Sequence, residues 1–193
     1  ALGDLLPDDG RDARHRGDLH AAVEGVAVLR IVGHGLDRGP RRREPVPRVR
    51  ALVRLWLLFS LKQASEIFAP VPIKPVPYAK PWLAGVANLR GGLFTVVDLA
   101  VYLGLREPQP GRATTVQSRL VSLGSDLNLN CALLVDRLAG LRSDEQLPLA
   151  AQQPTGPLPR FAGALRRDDA GRHWQEINLE ALSRQENFLH IVA

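Results

Sequence analysis

Beyond Leu55, the apolar residues of this chain stand in short runs that are separated by Pro, Gly, Asn and Asp. Short apolar runs between turn-forming residues are typical of many short β-strands, whereas a long helix needs a periodic apolar face. With 193 residues, of which 45% are hydrophobic, the chain is long enough to bury one or two compact cores. We therefore expect a mostly β protein with short helices.

The clearest local signal is a pair of apolar runs, Trp82–Leu89 and Leu93–Val97, separated by the sequence Arg-Gly-Gly. Glycine permits the positive backbone angles of a tight turn, so this segment predicts a β-hairpin. Residues 119–135 predict a second hairpin, because two apolar runs there flank Gly124 and its polar neighbours.

Two polar residues are placed to cap helices. Asp98 follows an apolar run and can cap a short helix over residues 99–103. Asn178 can cap a C-terminal helix, Leu179–His190, whose apolar face could seal a barrel or a groove.

The two halves of the chain resemble each other. Leu83–Val86 is echoed by Phe161–Ala164, and Phe94–Leu99 is echoed by Trp174–Leu179 at nearly the same spacing. A spacing that persists across two segments predicts a duplicated β unit.

Prolines at positions 70, 72, 75, 77 and 81 mark an extended connection between strands. Proline lacks a backbone donor, so this segment can contribute few hydrogen bonds to a sheet. We interpret it as a surface loop between strands rather than as a PxxP ligand for a small recognition module.

Residues 1–54 differ from the rest of the chain. They hold 11 Arg, no Lys and 8 acidic residues, without sustained helical or alternating periodicity. This composition predicts a mostly disordered arm, with an RNA-binding or membrane-surface arm and an out-of-frame translation start as alternatives. We expect the arm to be dispensable, so that protease trims the chain to near Arg48 or Arg54.

The pI of about 10.1 suggests a nucleic-acid partner. However, residues 1–54 carry a net charge of +3 and residues 55–193 only +2, so the part expected to fold is nearly balanced. The single cysteine, Cys131, lies in an apolar run and is interpreted as a buried hydrophobe rather than as a reactive thiol. No secretory signal or bilayer-spanning run is evident, so we expect a soluble cytoplasmic protein without membrane insertion.

The stretch Pro81–Leu99, with the sequence PWLAGVANLRGGLFTVVDL, resembles the signature of the CheW family of chemotaxis adaptors. That signature has an apolar-Gly-apolar strand, then Asn-Leu-Arg-Gly, then a strand that ends in Val-Asp-Leu. The likeness extends over roughly residues 57–182. The ending Glu186–Val192 is more similar to the twitching-motility member of the family than to the flagellar adaptor.

The resemblance implies two five-stranded SH3-like β-barrels with a groove between them, the first over about 55–106 and the second over about 113–193. It also implies a non-catalytic adaptor, without a cofactor, in chemotaxis or type IV pilus twitching motility. The implied partners are the cytoplasmic hairpin tip of a chemoreceptor and the regulatory domain of a CheA-type histidine kinase. Family members have a strand and a turn before the segment matching Leu57–Leu61, where this chain offers only Arg48–Leu55 as a substitute edge strand.

The resemblance also nominates site residues. Asn88 and Gly91 would shape the turn. Arg90 offers a rigid five-donor fork, with a plain surface residue of the turn as the alternative. The match at Glu66 implies an ion pair with Arg90 that braces the receptor-facing surface. The apolar candidates for the contact surface, for which core packing is the alternative, are Ala64, Ile67, Val86 and Leu89. Structural roles are expected for Gly85, Asp98 and Asp136.

Other functional classes are less well supported. The histidines lack metal-ligand spacing, and neither a nucleophile elbow nor a Gly-Lys-Ser/Thr phosphate loop is present. Asp98 and Asp136 each end an apolar run, so capping is preferred over acid catalysis. A nucleic-acid-binding small β-barrel would need surface aromatics interleaved with Lys or Arg, but the Phe and Trp residues lie mostly inside apolar runs. A detached CheW-like regulatory domain of a histidine kinase is the remaining alternative.

Overall fold

The structure is a computed structural model that describes residues 26–30, 56–109 and 114–192. Its strands are β1 (Val26–Arg30), β2 (Trp56–Ser60), β3 (Ala64–Phe68), β4 (Leu83–Leu89), β5 (Gly92–Asp98), β6 (Arg119–Leu123), β7 (Cys131–Val135), β8 (Arg137–Arg142), β9 (Ala162–Arg167) and β10 (His173–Ile177). Its helices are α1 (Leu99–Tyr102), α2 (Leu179–Ser183) and α3 (Glu186–Leu189). Single 3-10 turns lie at Leu61–Gln63, Ser125–Leu127 and Asp144–Gln146. The predicted mostly β architecture with short helices is confirmed.

The strands form two five-stranded sheets. Sheet A has the order β8-β1-β2-β10-β9, and sheet B has the order β3-β6-β7-β5-β4. The pairs β2–β10 and β5–β7 are parallel, and the other pairs are antiparallel. Within the described ranges, neither hydrogen-bonded order closes into a complete barrel.

The division of the chain differs from the one expected. Sheet B takes the five strands β3 to β7, which follow one another along the chain, whereas sheet A combines β1 and β2 with β8, β9 and β10. The expected barrels over about 55–106 and about 113–193 therefore do not match the sheets. The hairpin of β6 and β7, which was expected in the second barrel, instead joins β4 and β5 in sheet B through the parallel pairing of β7 with β5. No local sequence signal reports such a pairing.

The two sheets repeat one topology. In each, a hairpin (β4 and β5, or β9 and β10) leads into a short helix, and its second strand has a parallel neighbour. An antiparallel pair of strands (β6 and β7, or β1 and β2) and one edge strand complete each order. This repeat is consistent with the duplicated β unit that the sequence predicts.

Strand β1 corrects the expectation that residues 1–54 lie outside the fold. It pairs antiparallel with β2, where Val26 faces Ser60, and with β8 on its other side. Ala27 is fully buried. The error has a physical reason, because five residues are too few to show periodicity and the strand depends on partners far along the chain. The rest of 1–54, including the suggested edge strand Arg48–Leu55, lies outside the described residues.

The core lies on both faces of each sheet. One cluster fills the space between the sheets and includes Phe59 from sheet A with Val121 and Leu133 from sheet B. Two smaller clusters pack on the opposite faces, one on sheet B and one on sheet A. Strand β7 is buried at all five positions for this reason. Burial on both faces explains why its sequence is a continuous apolar run rather than an alternation.

The proline-rich connection covers one edge of sheet B. Lys74 and Val86 exchange two backbone hydrogen bonds of 2.8 Å, which extends the sheet beyond β4. Gly85 has φ +142°, and a Cβ there would lie 2.1 Å from the Lys74 carbonyl oxygen. The position therefore accepts only glycine, as long as the connection lies against β4.

The helices agree with the cap residues but not with the expected lengths. Asp98 caps α1 by accepting a hydrogen bond from the Val101 N–H, and Asn178 caps α2 by accepting from the Ala181 N–H. The expected single helix Leu179–His190 is wrong, because Gln185 is extended with ψ 130° and starts α3. The break brings Phe188 into an aromatic cluster, where its ring centroid lies 6.1 Å from that of Trp82 and 5.3 Å from that of Tyr102. Because Tyr102 is buried in this cluster, the pKa of its hydroxyl is raised to about 12.

In the part of the chain that the structure describes, no helix is long and apolar enough to cross a membrane.

The placement of β1 is tested by Ala27→Asp, which puts a charge at a fully buried position. We expect the free energy of unfolding to fall by about 3–5 kcal/mol, because a buried uncompensated charge is costly. Urea unfolding measures the change, with Ala69→Asp as the matched control at an exposed position that should change stability by less than about 0.5 kcal/mol. Equal midpoints for the two variants would place residues 26–30 outside the core.

Candidate partner-binding site

The turn between β4 and β5 has an unusual backbone. Arg90 has φ 48° and Gly91 has φ 84°, so both central residues are left-handed, as a type I′ turn requires. The Asn88 side chain accepts a 2.8 Å hydrogen bond from the Gly91 N–H. Asn88 and Gly91 therefore shape the turn in the way the sequence predicts.

The expected ion pair is present. Arg90 Nη2 lies 2.7 Å from Glu66 Oε1, with 77% of the Arg90 side chain and 33% of the Glu66 side chain exposed. Glu66 belongs to β3 and Arg90 to the β4–β5 turn, which come from opposite ends of the sheet B order. The pair thus bridges the two edges of sheet B on the protein surface.

Arg90 is not the residue that stability alone would select at this turn. A left-handed conformation costs an L-residue such as arginine about 1–2 kcal/mol, which glycine avoids and asparagine partly avoids. An exposed ion pair returns only about 0–1 kcal/mol. The backbone cost is therefore at best barely offset, and strain of this kind concentrates at functional sites.

The four apolar candidates fall into different environments. Leu89 is 3% exposed and packs on the outer face of sheet B, so it is not accessible to a partner. Ala64 and Ile67 are half-buried and pack against the cluster between the sheets. Val86 is half-buried, and its backbone pairs with Lys74 of the proline-rich connection. The structure brings none of them together with Arg90 as an open apolar surface.

An exposed apolar residue beside the turn was missed. Leu93 faces Asn88 across the hairpin and is 65% exposed. The sequence pattern predicts Leu93 as the first residue of the apolar strand Leu93–Val97. The place of a residue within an apolar run does not show whether its side chain reaches solvent. Leu93 joins Arg90 and Asn88 as an accessible part of this surface.

A buried guanidinium was also missed. Arg106 is 6% exposed, and its Nη2 donates to both Asp98 carboxylate oxygens at 2.7 Å. Its Nη1 donates to both oxygens of Asp136, at 3.0 and 3.1 Å. Burial by itself lowers the pKa of Arg106, but the hydrogen bonds and charges of the two carboxylates outweigh it and raise that pKa.

This arrangement revises the expectation for Asp136. The residue lies between β7 and β8, so no helix follows for it to cap, and it binds Arg106 instead. Asp98 caps α1 as expected and binds Arg106 as well. No spacing rule links Arg106 to Asp136, because the chain separates them by two strands.

Cys131 is 4% exposed, and burial raises the pKa of its thiol to about 11, although a hydrogen bond to Thr95 opposes the shift. The thiol is therefore neutral at physiological pH, in agreement with a buried hydrophobe. Among the described residues, no cluster of three or more His, Cys, Asp or Glu side chains could hold a metal ion.

Comparisons with known proteins agree on one family. A family model described as CheW-like domain matches residues 51–187. The protein PilI of Pseudomonas aeruginosa is 32% identical over 144 residues, which make up 70% of this chain and 74% of PilI. The chemotaxis protein CheW of Rhizobium meliloti is 30% identical over 83 residues, or 40% of this chain and 54% of that protein. The solved structure of the scaffolding protein TtCheW from Thermoanaerobacter tengcongensis shares the fold, with a TM-score of 0.57 and 16% identity over 87% of this chain and 97% of that one.

The buried fork, meaning the Arg106 guanidinium with its ion pairs to Asp98 and Asp136, is tested by Arg106→Met. This substitution removes the cation that the two carboxylates share. Breaking a buried ion pair from one side is expected to cost about 3–5 kcal/mol of unfolding free energy. The matched control is Arg184→Met, because Arg184 pairs with Glu180 at 2.7 Å while 74% of its side chain is exposed. Its expected cost is about 0–1 kcal/mol. Similar losses in chemical denaturation of the two variants would contradict a structural role for the fork.

Proposed function

The chain belongs to the CheW-like domain family, and we propose that it is a non-catalytic adaptor that couples methyl-accepting chemoreceptors to a CheA-type histidine kinase. The observation that carries the proposal is Arg90, which is exposed, ion-paired to Glu66 and held in a left-handed backbone. The family match at Pro81–Leu99 covers this turn. The output is chemotaxis or, given the similarity to PilI, type IV pilus twitching motility.

The surface around Arg90 is suited to binding a protein rather than to a reaction. A guanidinium has five N–H donors in a planar fork, and the pair with Glu66 engages Nη2. The donors on Nε and Nη1 then face a partner's carbonyl or carboxylate oxygens, while Leu93 supplies apolar area beside them. The conformation that the pair imposes is formed before the partner arrives, which lowers the entropic cost of binding.

Two partners follow from the family. We propose that the Arg90 surface contacts the cytoplasmic hairpin tip of a chemoreceptor and that the ends of the sheets pair with the regulatory domain of the kinase. The protein then acts in the cytoplasm, recruited to receptor arrays at the membrane, without a cofactor and without nucleic acid. The alternative of a detached kinase regulatory domain shares this fold and differs in its partners.

Co-purification with a receptor cytoplasmic tip and a kinase regulatory domain tests the proposal. We expect the chain to bind both and to be needed only in stoichiometric amounts for control of kinase output. Binding to neither fragment would contradict the adaptor role. Turnover of ATP or of a phosphoprotein by the purified chain alone would contradict its non-catalytic part.

Arg90→Asn separates binding from stability. Asparagine tolerates the left-handed turn better than arginine, so the lost ion pair is offset and the unfolding free energy should change by less than about 1 kcal/mol. The receptor-tip Kd should rise by about tenfold, or about 1.4 kcal/mol, because the fork is gone. Calorimetry and thermal unfolding measure the two effects.

Two further variants sharpen this test. Arg90→Lys should rescue binding poorly, since lysine lacks the planar fork. Arg184→Asn is the control, because Arg184 is also an exposed, ion-paired arginine. An Arg90→Asn protein that binds both fragments like the unaltered chain would remove this residue from the partner surface.

A further inference from the structure

The register of β3 against β6 contains a β-bulge formed by Ser65 and Glu66. Ala64 faces Leu123 and Ile67 faces Val121, so both Ser65 and Glu66 lie opposite the single residue Ser122. A bulge of this kind bends the strand and re-aims the side chain of the extra residue.

The Ser122 hydroxyl fills the gap that the bulge leaves. Its Oγ accepts a 2.9 Å hydrogen bond from the Glu66 N–H and donates a 3.0 Å hydrogen bond to the Glu66 carbonyl oxygen. Ser122 itself is 3% exposed. One buried side chain thus satisfies both backbone groups of Glu66 that the interrupted ladder leaves unpaired.

Few residues could replace serine here. The neighbours Leu120, Val121 and Leu123 are buried and apolar, so a polar residue in this run needs a partner to offset its burial. A hydroxyl both donates and accepts within the space of one atom, which alanine and valine cannot do. The serine therefore belongs to the bulge rather than to the core of the strand.

We propose that Ser122 is a positioning residue for the partner surface: its hydroxyl fixes the β3 bulge, and the bulge aims Glu66 at Arg90. Glu66 Oε1 and Arg90 Nη2 lie 2.7 Å apart, although they come from opposite edges of sheet B. The effect on partner binding rests on the proposed adaptor function. The effect on Glu66 and Arg90 does not.

The experiment compares Ser122→Ala with Ser183→Ala in the full chain. Ser183 is an apt control because it is 2% exposed and donates a 2.8 Å hydrogen bond to the Glu180 carbonyl oxygen, away from the site. The first readout is the Arg90 side-chain Nε–Hε resonance of the free protein by NMR. In Ser122→Ala it should move to the position that it has in Glu66→Ala, whereas in Ser183→Ala it should stay. An unmoved resonance in Ser122→Ala would overturn the proposal.

The second readout is affinity for the receptor tip. Ser122→Ala should raise the Kd by about fivefold, because Glu66 then no longer holds the Arg90 guanidinium in place, and Glu66→Ala should add nothing in that background. Ser183→Ala should leave the Kd unchanged, even if it lowers the melting temperature as much as Ser122→Ala does. If Glu66→Ala has the same effect with and without the hydroxyl, Ser122 does not act through Glu66 and the proposal fails.

Two provisions keep the outcomes separate. If Ser122→Ala does not fold, Ser122→Cys keeps the shape of the side chain, with a larger atom and a much weaker donor, and should show the same changes to a smaller degree. If the unaltered chain binds no receptor tip, the adaptor function fails, and the NMR comparison alone decides the role of Ser122.

Discussion

Arg106 holds the carboxylates of Asp98 and Asp136 where the chain leaves sheet B. Asp98 ends β5, and Asp136 follows β7, the parallel neighbour of β5. The fork therefore ties the ends of that parallel pair together and fixes the residue from which β8 enters sheet A. Because a buried cation and its carboxylates tolerate few geometries, the direction of the chain at this crossing is closely defined.

The other crossing between the sheets, at Leu61–Gln63, is also held by side-chain hydrogen bonds. The Gln63 side chain accepts from the Leu179 N–H at 3.0 Å and donates to the Asn178 side chain at 3.2 Å, at the start of α2. Each crossing is thus fixed by a hydrogen-bonding side chain, while the cluster between the sheets supplies the apolar burial. Directional bonds set the geometry, and the hydrophobic effect supplies most of the free energy.

The candidate site lies on the surface of sheet B, away from the two crossings that these hydrogen bonds fix. At the edges of sheet B, the proline-rich connection covers β4, and the pair of Glu66 and Arg90 bridges β3 to the hairpin turn. Exposed electrostatics contribute little to folding, so this surface is free to carry a strained arginine. The contrast with the buried ion pairs of Arg106 is physical: the same ion-pair chemistry constrains the fold when it is desolvated and contributes little to stability when it is solvated, as at the candidate site.

The sequence by itself determined the local features. The β4–β5 hairpin and the caps at Asp98 and Asn178 depend on residues a few positions apart, and the family signature lies in that same stretch. Only the tertiary structure decided that β1 enters sheet A, that Arg106 joins two carboxylates and that Ser122 fills a bulge behind Glu66. The reason is separation along the chain. Each of these last three features depends on contacts between segments that are far apart in sequence, and a local sequence pattern does not report such contacts.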